Sequence, residues 1–246
     1  MYDIVKAMNN ADSSENDLKS FKTYLEKRYS DKESDLHQAM NGIQYSYDLN
    51  LLVYTKNVDG TIIPSDANQL LQELMLKYMH VDVSSMMKMS ENSGLMSSSL
   101  MSSMGGMSGQ VWQEMLSGDD GQPINSLLKK QYDVVYGEWP ENYNEIVLVV
   151  DENNELDDTT LYTLGLKPES EMGEVVSAAA DGSKLEDRTS GKWTYDELCN
   201  MEFRVILNSD CYHYDENTGL YSDLRDTDAG IKYLYDNAIP LKITGI

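Results

Sequence analysis

Residues 132–166 read YDVVYGEWPENYNEIVLVVDENNELDDTTLYTLGL, and this stretch decides the fold. Tyr132–Tyr136 is a short apolar run, and residues 137–144 contain the Gly, Pro and Asn that mark turns. Ile146–Val150 then joins β-branched and aliphatic residues without a break, which is typical of a strand covered on both faces. The first half of the stretch therefore predicts two strands separated by a loop.

The second half of the stretch predicts an acidic loop and a short helix. Leu161 and Leu164 fit one face of that helix, and Gly165 ends it. The loop lacks the ordered Asp, Asn, Gly and distal Glu of a calcium-binding EF-hand, which favours a solvated loop over a calcium site. Its carboxylates are those of Asp151, Glu152, Glu155, Asp157 and Asp158.

The charge of the chain excludes one broad class of partner. Its 246 residues are enough to bury a core, and their net charge is -23. Nucleic-acid binding needs clustered Lys and Arg, which this chain lacks, and anionic lipid surfaces are disfavoured for the same reason. We therefore expect no nucleic-acid partner.

Two further sequence features concern membranes. The chain has no apolar run near the roughly 20 residues that cross a bilayer, and no basic and apolar leader at its start. Its last residues, Leu241–Ile246, follow an apolar strand pattern without a polar tail. We expect a soluble piece excerpted from a longer protein.

The early part of the chain predicts a helix and a hairpin. Ser14 is the expected start of an amphipathic helix. Alternating apolar residues over 43–53 predict a half-buried strand, and Asp59-Gly60 predicts a turn into a second strand. The apolar face of the helix consists of Leu18, Phe21, Leu25 and Tyr29.

The remaining elements predict a mixed fold. Ser65 is a predicted N-cap of a second helix, whose apolar stripe lies within residues 70–79. In the later half, residues 202–207 and 241–246 predict strands, and 228–237 predicts a helix with Pro240 as its stop. Strands and crossover helices do not alternate regularly, so the predicted fold class is α+β.

A Ser-, Met- and Gly-rich segment at 84–109 divides the chain. We expect residues 1–65 to form the first part of an α+β core, 66–127 a helical and low-complexity insert, and 128–246 the second part of the core. Three interpretations of the insert stay open: a Cu(I) site of soft thioethers, an adaptable apolar contact surface, or a loop without a specific role. The candidate contact residues are Met96, Met101, Met104 and Met107.

The sequence provides little evidence of catalysis. No phosphate loop, nucleophile elbow or zinc-protease spacing is present, so we expect neither an enzyme nor a cofactor. His213 lies between Asp210 and Asp215, where a metal site competes with the simpler interpretation of a solvated loop. Cys199 and Cys211 are either bridged or, as we favour, two half-buried thiols.

Residues 17–79 and 128–246 together resemble the extracytoplasmic domain of MacB/FtsX-like ABC transporter permeases. In that family a G-x-x-P…N-E-[IV]-V-[LV] segment leads into a strand and a short helix that ends in Leu-Gly-Leu. The closing residues Pro240–Ile246 resemble the family's returning strand. The matching residues are Gly137, Trp139, Pro140, Asn144, Glu145, Ile146, Val147, Leu148, Leu164, Gly165 and Leu166.

The resemblance implies a noncatalytic domain outside the cytoplasmic membrane. Such a domain would couple the motion of a cytoplasmic ATPase to export of, or resistance to, peptides, lipoproteins or drugs, or else would regulate cell-wall hydrolases. A permease dimer and a cell-envelope protein are further implied partners. A secreted or surface-anchored binding protein and a Cu(I) module are the alternatives. The residues implied to be structural are Gly137, Pro140, Asn144, Glu145, Gly165 and Gly245.

Overall fold

The computed structural model of the protein describes residues 16–45, 51–80, 111–118, 121–183 and 191–246. Helices and strands are mixed in this part of the chain, which confirms the α+β class. The helices are α1 (Leu18–Ser30), α2 (Asp35–Ala39), α3 (Ala67–Met79), α4 (Leu128–Gln131), α5 (Asp158–Thr163), α6 (Glu169–Asp181), α7 (Tyr195–Cys199) and α8 (Asp228–Asn237). The strands are β1 (Leu52–Lys56), β2 (Ile62–Pro64), β3 (Glu145–Val147), β4 (Phe203–Ile206), β5 (Tyr212–Asp215), β6 (Leu220–Asp223) and β7 (Ile239–Gly245).

Five of these strands form one sheet in the order β2-β1-β4-β7-β3. β1 lies antiparallel to β4, with Val53 opposite Val205, and β4 lies antiparallel to β7, with Phe203 opposite Leu241. β3 pairs with β7 in parallel and forms one end of the sheet. The pairing of β1 with β4 joins the early and the late parts of the chain.

Successive residues of a strand point to opposite faces of the sheet. Both faces of this sheet are covered by a core cluster. Val53 packs in a cluster with Phe203 and Ile243, and this cluster also contains Leu164 and Leu198 from the regions of α5 and α7. The next residue of β1, Tyr54, instead packs in a cluster on the other face. That cluster contains Ile206, Cys211, Leu234 and Tyr235, of which the last two lie on α8. A third cluster joins α3, α5 and α6 through Leu74, Tyr162 and Met172.

The predicted hairpin is confirmed, and its turn is held by local contacts. Gly60 has a φ of 85°, a left-handed conformation that glycine adopts without strain. The carboxylate of Asp59 accepts a hydrogen bond of 2.8 Å from the backbone N–H of Thr61. β1 and β2 are therefore joined as the Asp59-Gly60 dipeptide predicts.

Two helix starts differ from the predictions. Ser14 lies outside the described residues, and Asp17 caps α1 by accepting from the backbone N–H of Ser20. Asp66, not Ser65, caps α3, because its carboxylate accepts from two backbone N–H groups of the first turn. The Ser65 hydroxyl instead accepts from the indole N–H of Trp112. The predicted apolar face of α1 also contains no buried residue, and Phe21 is 56% exposed.

Two strand predictions and one predicted helix stop differ from the structure. Residues 43–45 are not in a strand, 46–50 lie outside the described residues, and the strand begins at Leu52, where β4 provides a hydrogen-bonding partner. Tyr132–Tyr136 is not in a strand, and Gly137 after it forms an isolated bridge to Gly245 of β7. Pro240 lies within β7, since α8 already ends at Asn237.

The helices at 228–237 and around Leu161, and the strands at 202–207 and 241–246, are confirmed to within a few residues. None of the described helices is both long enough and apolar enough to span a bilayer.

Candidate functional site

An open groove with a volume of about 1120 Å³ runs beside β3. Its floor consists of buried core residues from β4, β7 and the end of α5. Its walls are the segment 111–116, residues 131–135 at and after the end of α4, and the residues that follow β3. The floor residues are Leu164, Phe203, Ile243 and Ile246.

Trp112 connects one wall to the core. Its indole N–H donates to the backbone oxygen of Ser65 at 3.0 Å and lies 3.1 Å from the Ser65 hydroxyl. Its ring meets that of Phe203 edge to face, with centroids 5.2 Å apart. Trp112 is half-buried, and these contacts satisfy its indole N–H and hold this wall against the core.

The opposite wall is held to the end of β7 by backbone hydrogen bonds. The N–H groups of Val135 and Tyr136 donate to the oxygen of Ile246 at 2.8 and 3.2 Å, and the Ile246 N–H donates back to Tyr136 at 2.9 Å. Val134 and Val135 are nevertheless exposed. Their side chains therefore provide apolar surface at the groove without contributing to the core.

The prediction of a strand at Ile146–Val150 is confirmed for Ile146 and Val147, but the prediction that the whole run is a strand buried on both faces was wrong. Only residues up to Val147 are in the strand, none of the five is buried, and Val149 is 57% exposed. The physical reason is position: β3 has β7 as a neighbour on one side only. The apolar run lines the groove, and Ile146, Leu148 and Val150 also pack against the core cluster as half-buried residues.

The groove has an acidic rim. The carboxylate of Asp151 accepts from the backbone N–H groups of Glu155 and Asn153, which hold the pKa of Asp151 below its ordinary value. The predicted solvated loop is thus a hydrogen-bonded turn with exposed side chains. Among the described residues that line the groove, none is Lys, Arg or His. Its acidic residues are Glu114, Asp133, Asp151, Glu152 and Asp157.

Two of the motif glycines allow the chain to approach β7 closely. Gly137 has a φ of 74°, and a Cβ there would collide with the backbone oxygen of Thr244. A Cβ on Gly245 would lie 2.5 Å from the backbone oxygen of Glu138. Since real Cβ atoms do not approach backbone oxygen so closely, glycine at both positions permits the segment before β3 to lie against β7.

Asn144 and Glu145 tie the same region together. The Asn144 amide donates to the oxygen of Pro240 at 3.2 Å, and its backbone oxygen accepts from Lys242 at 3.0 Å. The Glu145 carboxylate accepts from the backbone N–H groups of Glu141 and Asn142 at 2.8 and 3.1 Å.

The other two motif residues, Pro140 and Gly165, have different surroundings. Pro140 is buried. Gly165, with a φ of 79°, lies against the end of β1, where a Cβ would be 2.8 Å from the oxygen of Lys56. Gly165 is therefore structural at a different part of the sheet.

We expect the contribution of Glu145 to the stability of the fold to depend on pH. Hydrogen bonds from Glu141 and Asn142 lower the pKa of Glu145, so the folded protein prefers the carboxylate. Its contribution is present above the ordinary pKa and is lost as the pH falls through the lowered pKa. We expect Glu145→Gln to lower the urea midpoint at pH 7, with a difference that shrinks at pH 3. Glu141→Gln, another exposed carboxylate of the same turn, is the control and should change little; an E145Q effect independent of pH would contradict the prediction.

The other predicted site positions have separate outcomes. Met96, Met101, Met104 and Met107 lie outside the described residues, so their roles in contact or copper binding stay predictions. Within the described residues, no three His, Cys, Asp or Glu side chains are grouped as metal ligands, and this includes the surroundings of His213. Cys199 and Cys211 are free thiols, and burial raises the pKa of both.

The walls of the groove were not predicted from the sequence. Trp112 received no role, and Val134 and Val135 were assigned to a strand. The sequence feature that could have indicated the walls is the presence of acidic residues next to apolar ones, as in Asp133-Val134-Val135 and in Val149-Val150-Asp151-Glu152. Such mixed segments are typical of an apolar surface that stays in contact with solvent.

Comparison of the whole chain with models of protein families, with curated protein sequences and with solved structures finds no match.

Proposed function

We propose that this chain is the noncatalytic extracytoplasmic domain of a MacB/FtsX-like ABC transporter permease. The observation that carries the proposal is the arrangement of the motif residues. Gly137, Asn144, Glu145 and Gly245 all lie where the segment before β3 meets β7, and each has a contact that its residue type explains. The resemblance thus rests on residues that act together in the fold, as a shared domain architecture requires.

In this proposal the groove beside β3 is the contact site for the exported molecule. Its apolar floor and exposed valines suit an apolar side chain or acyl chain, and its rim carboxylates suit positive charge. Its volume exceeds the roughly 300–1,000 Å³ of ordinary small-molecule sites. A cationic amphipathic peptide fits this combination best.

The remaining parts of the proposal follow from the family. The domain would lie outside the cytoplasmic membrane, and its topology would be MacB-like, with the Met-, Ser- and Gly-rich segment as an insert. A cytoplasmic ATPase would act on it through transmembrane helices of the same subunit, and two subunits would form a dimer. Lipoproteins and cell-envelope proteins are further candidate partners.

The reading frame on both sides of the chain tests this architecture. We expect one membrane span upstream, three downstream, and a gene for an ATPase next to them. A frame with a single leader or anchor and no further span would overturn the permease. The groove would then favour the second candidate, a secreted or surface-anchored binding protein, which needs no ATPase.

Binding to the groove can be measured independently of the gene context. The probe is a dansyl-labelled amphipathic helix of leucine and lysine, and the variant is Val135→Ser with Val149→Ser. Loss of two exposed apolar side chains should weaken binding by about tenfold. Val58→Ser, which removes a comparably exposed valine from the β1–β2 turn, should leave the affinity unchanged. Equal affinity of all three proteins would show that the groove is not the site.

A further inference from the structure

The β5–β6 hairpin carries an exposed tyrosine surface. Its strands pair with each other and form a separate two-stranded sheet. Tyr214 lies opposite Tyr221, and Tyr212 lies opposite Asp223, so these four side chains share one face. Tyr212, Tyr214 and Tyr221 are 50%, 47% and 72% exposed. Large aromatic side chains grouped on a surface mark sites of interaction.

One cation of the chain already binds at this face. The guanidinium of Arg225 lies over the ring of Tyr212, 5.6 Å from its centroid, and donates to the Tyr212 hydroxyl at 3.2 Å. Two of its nitrogens also donate to the carboxylate of Asp223. The hairpin thus shows within one chain how a tyrosine ring and a carboxylate bind an arginine.

The neighbouring tyrosine pair has the same chemistry. The rings of Tyr214 and Tyr221 lie 5.0 Å apart and tilt toward each other. The face of a tyrosine ring attracts a guanidinium by cation–π interaction. Among the described residues, the ring–cation contact of this hairpin is that of Arg225 with Tyr212, on the same face as the Tyr214–Tyr221 pair.

The charge around the hairpin favours a positive partner. Residues 208–228 contain no Lys, and Arg225 is their one Arg. Backbone N–H donors near Asp215, and the guanidinium near Asp223, lower the pKa of these carboxyls, so both stay charged at neutral pH. The acidic residues of this segment are Asp210, Asp215, Glu216, Asp223, Asp226 and Asp228.

A cleft beside the tyrosine surface provides space for a side chain. It has a volume of about 330 Å³ and lies between the start of β5 and α8. Asp210, Tyr212 and Tyr233 are among its lining residues, so a carboxylate and two phenol rings meet there. This is the composition that would hold a guanidinium.

We propose that the tyrosine face of the β5–β6 hairpin binds an arginine-rich, extended segment of a partner protein. Alternate residues of an extended chain point to the same side, as Tyr212 and Tyr214 do on β5. Arginines at every second position would therefore meet successive rings and carboxylates of the hairpin. Among the described residues, the cleft beside the tyrosine surface shares no lining residue with the groove beside β3. The proposal therefore holds whether or not the chain belongs to a permease.

The test uses a fluorescein-labelled peptide with four arginines that alternate with serines, and measures its binding by fluorescence anisotropy. Tyr214→Leu with Tyr221→Leu keeps apolar bulk but removes both rings, and should weaken binding by about tenfold. Tyr214→Phe with Tyr221→Phe keeps the rings and should change the affinity less than about twofold. A lysine version of the peptide should bind more weakly, because an ammonium lacks the planar fork of guanidinium.

The control addresses the general attraction of a protein with a net charge of -23 for any basic peptide. Tyr143→Leu removes a tyrosine that is 90% exposed elsewhere on the surface and should have no effect. Equal weakening by Tyr143→Leu, or equal behaviour of the Leu and Phe pairs, would overturn the proposal. So would self-association of the protein that the Leu pair abolishes while peptide binding is unchanged, since the face would then serve a second copy of the chain.

Discussion

Replacing Phe203 by alanine is expected to lower the free energy of unfolding by about 3–5 kcal/mol. Phe203 is 1% exposed, lies on a central strand and packs with Val53 and Ile243. Removing the ring leaves a cavity and also removes the partner of the Trp112 indole. Domains are stable by only about 5–15 kcal/mol, so the loss would be a large part of the total.

The measurement is urea unfolding, followed by far-ultraviolet circular dichroism. The chain offers a matched control, because it has two phenylalanines and Phe21 is 56% exposed on α1. Phe21→Ala should change the free energy by less than about 0.5 kcal/mol. Equal losses in the two variants would contradict the core described here.

The loss of Phe203 should also affect the groove, whose floor it forms. The dansyl peptide should bind more weakly to Phe203→Ala under conditions where the variant is still folded. Phe21→Ala should bind the peptide as the unchanged protein does. This second measurement separates a local effect on the groove from a global effect on stability.

Replacing Gly137 by alanine is expected to cost at least about 3 kcal/mol. A φ of 74° puts an L-residue in the left-handed region, which alone costs about 1–2 kcal/mol. The new Cβ would also meet the backbone oxygen of Thr244, which cannot move without disturbing β7. The hydrogen bond from the Glu138 N–H to that oxygen, 2.8 Å long, would be the first to break.

Gly60→Ala separates these two contributions. Gly60 has a φ of 85°, but a Cβ there would have no atom within 4 Å. Its replacement should therefore cost only the backbone strain of about 1–2 kcal/mol. The excess of G137A over G60A measures the close approach to β7. If urea unfolding gave equal losses, the segment before β3 would not lie against β7 as described.

The predictions that succeeded rest on local signals. The range of α8 was predicted correctly because its apolar face repeats within a few residues, although the predicted stop, Pro240, lies in β7. The β1–β2 hairpin was predicted for the same reason, since Asp59 and Gly60 determine the turn by themselves.

The predictions that failed depend on neighbours far along the chain. Ser65 looked like a helix cap, but its hydroxyl accepts from Trp112, 47 positions away. Ile146–Val150 looked like a buried strand, but β3 lies at the end of the sheet and much of the run stays accessible. An apolar run indicates that its residues can be buried. The arrangement of the strands decides whether they are buried.

The sequence by itself determined the α+β class, the turns, four of the eight described helices (α1, α3, α5 and α8) and the negative charge, because each follows from residue type or from interactions over a few positions. The tertiary structure decided that β1 pairs with β4, that Gly137 lies against Thr244, and that the walls of the groove meet. It also decided that the tyrosines of β5 and β6 share one exposed face, through the register of the hairpin. The hairpin register is set within residues 212–223, whereas the other features arise from contacts between segments distant in sequence, which no local pattern specifies.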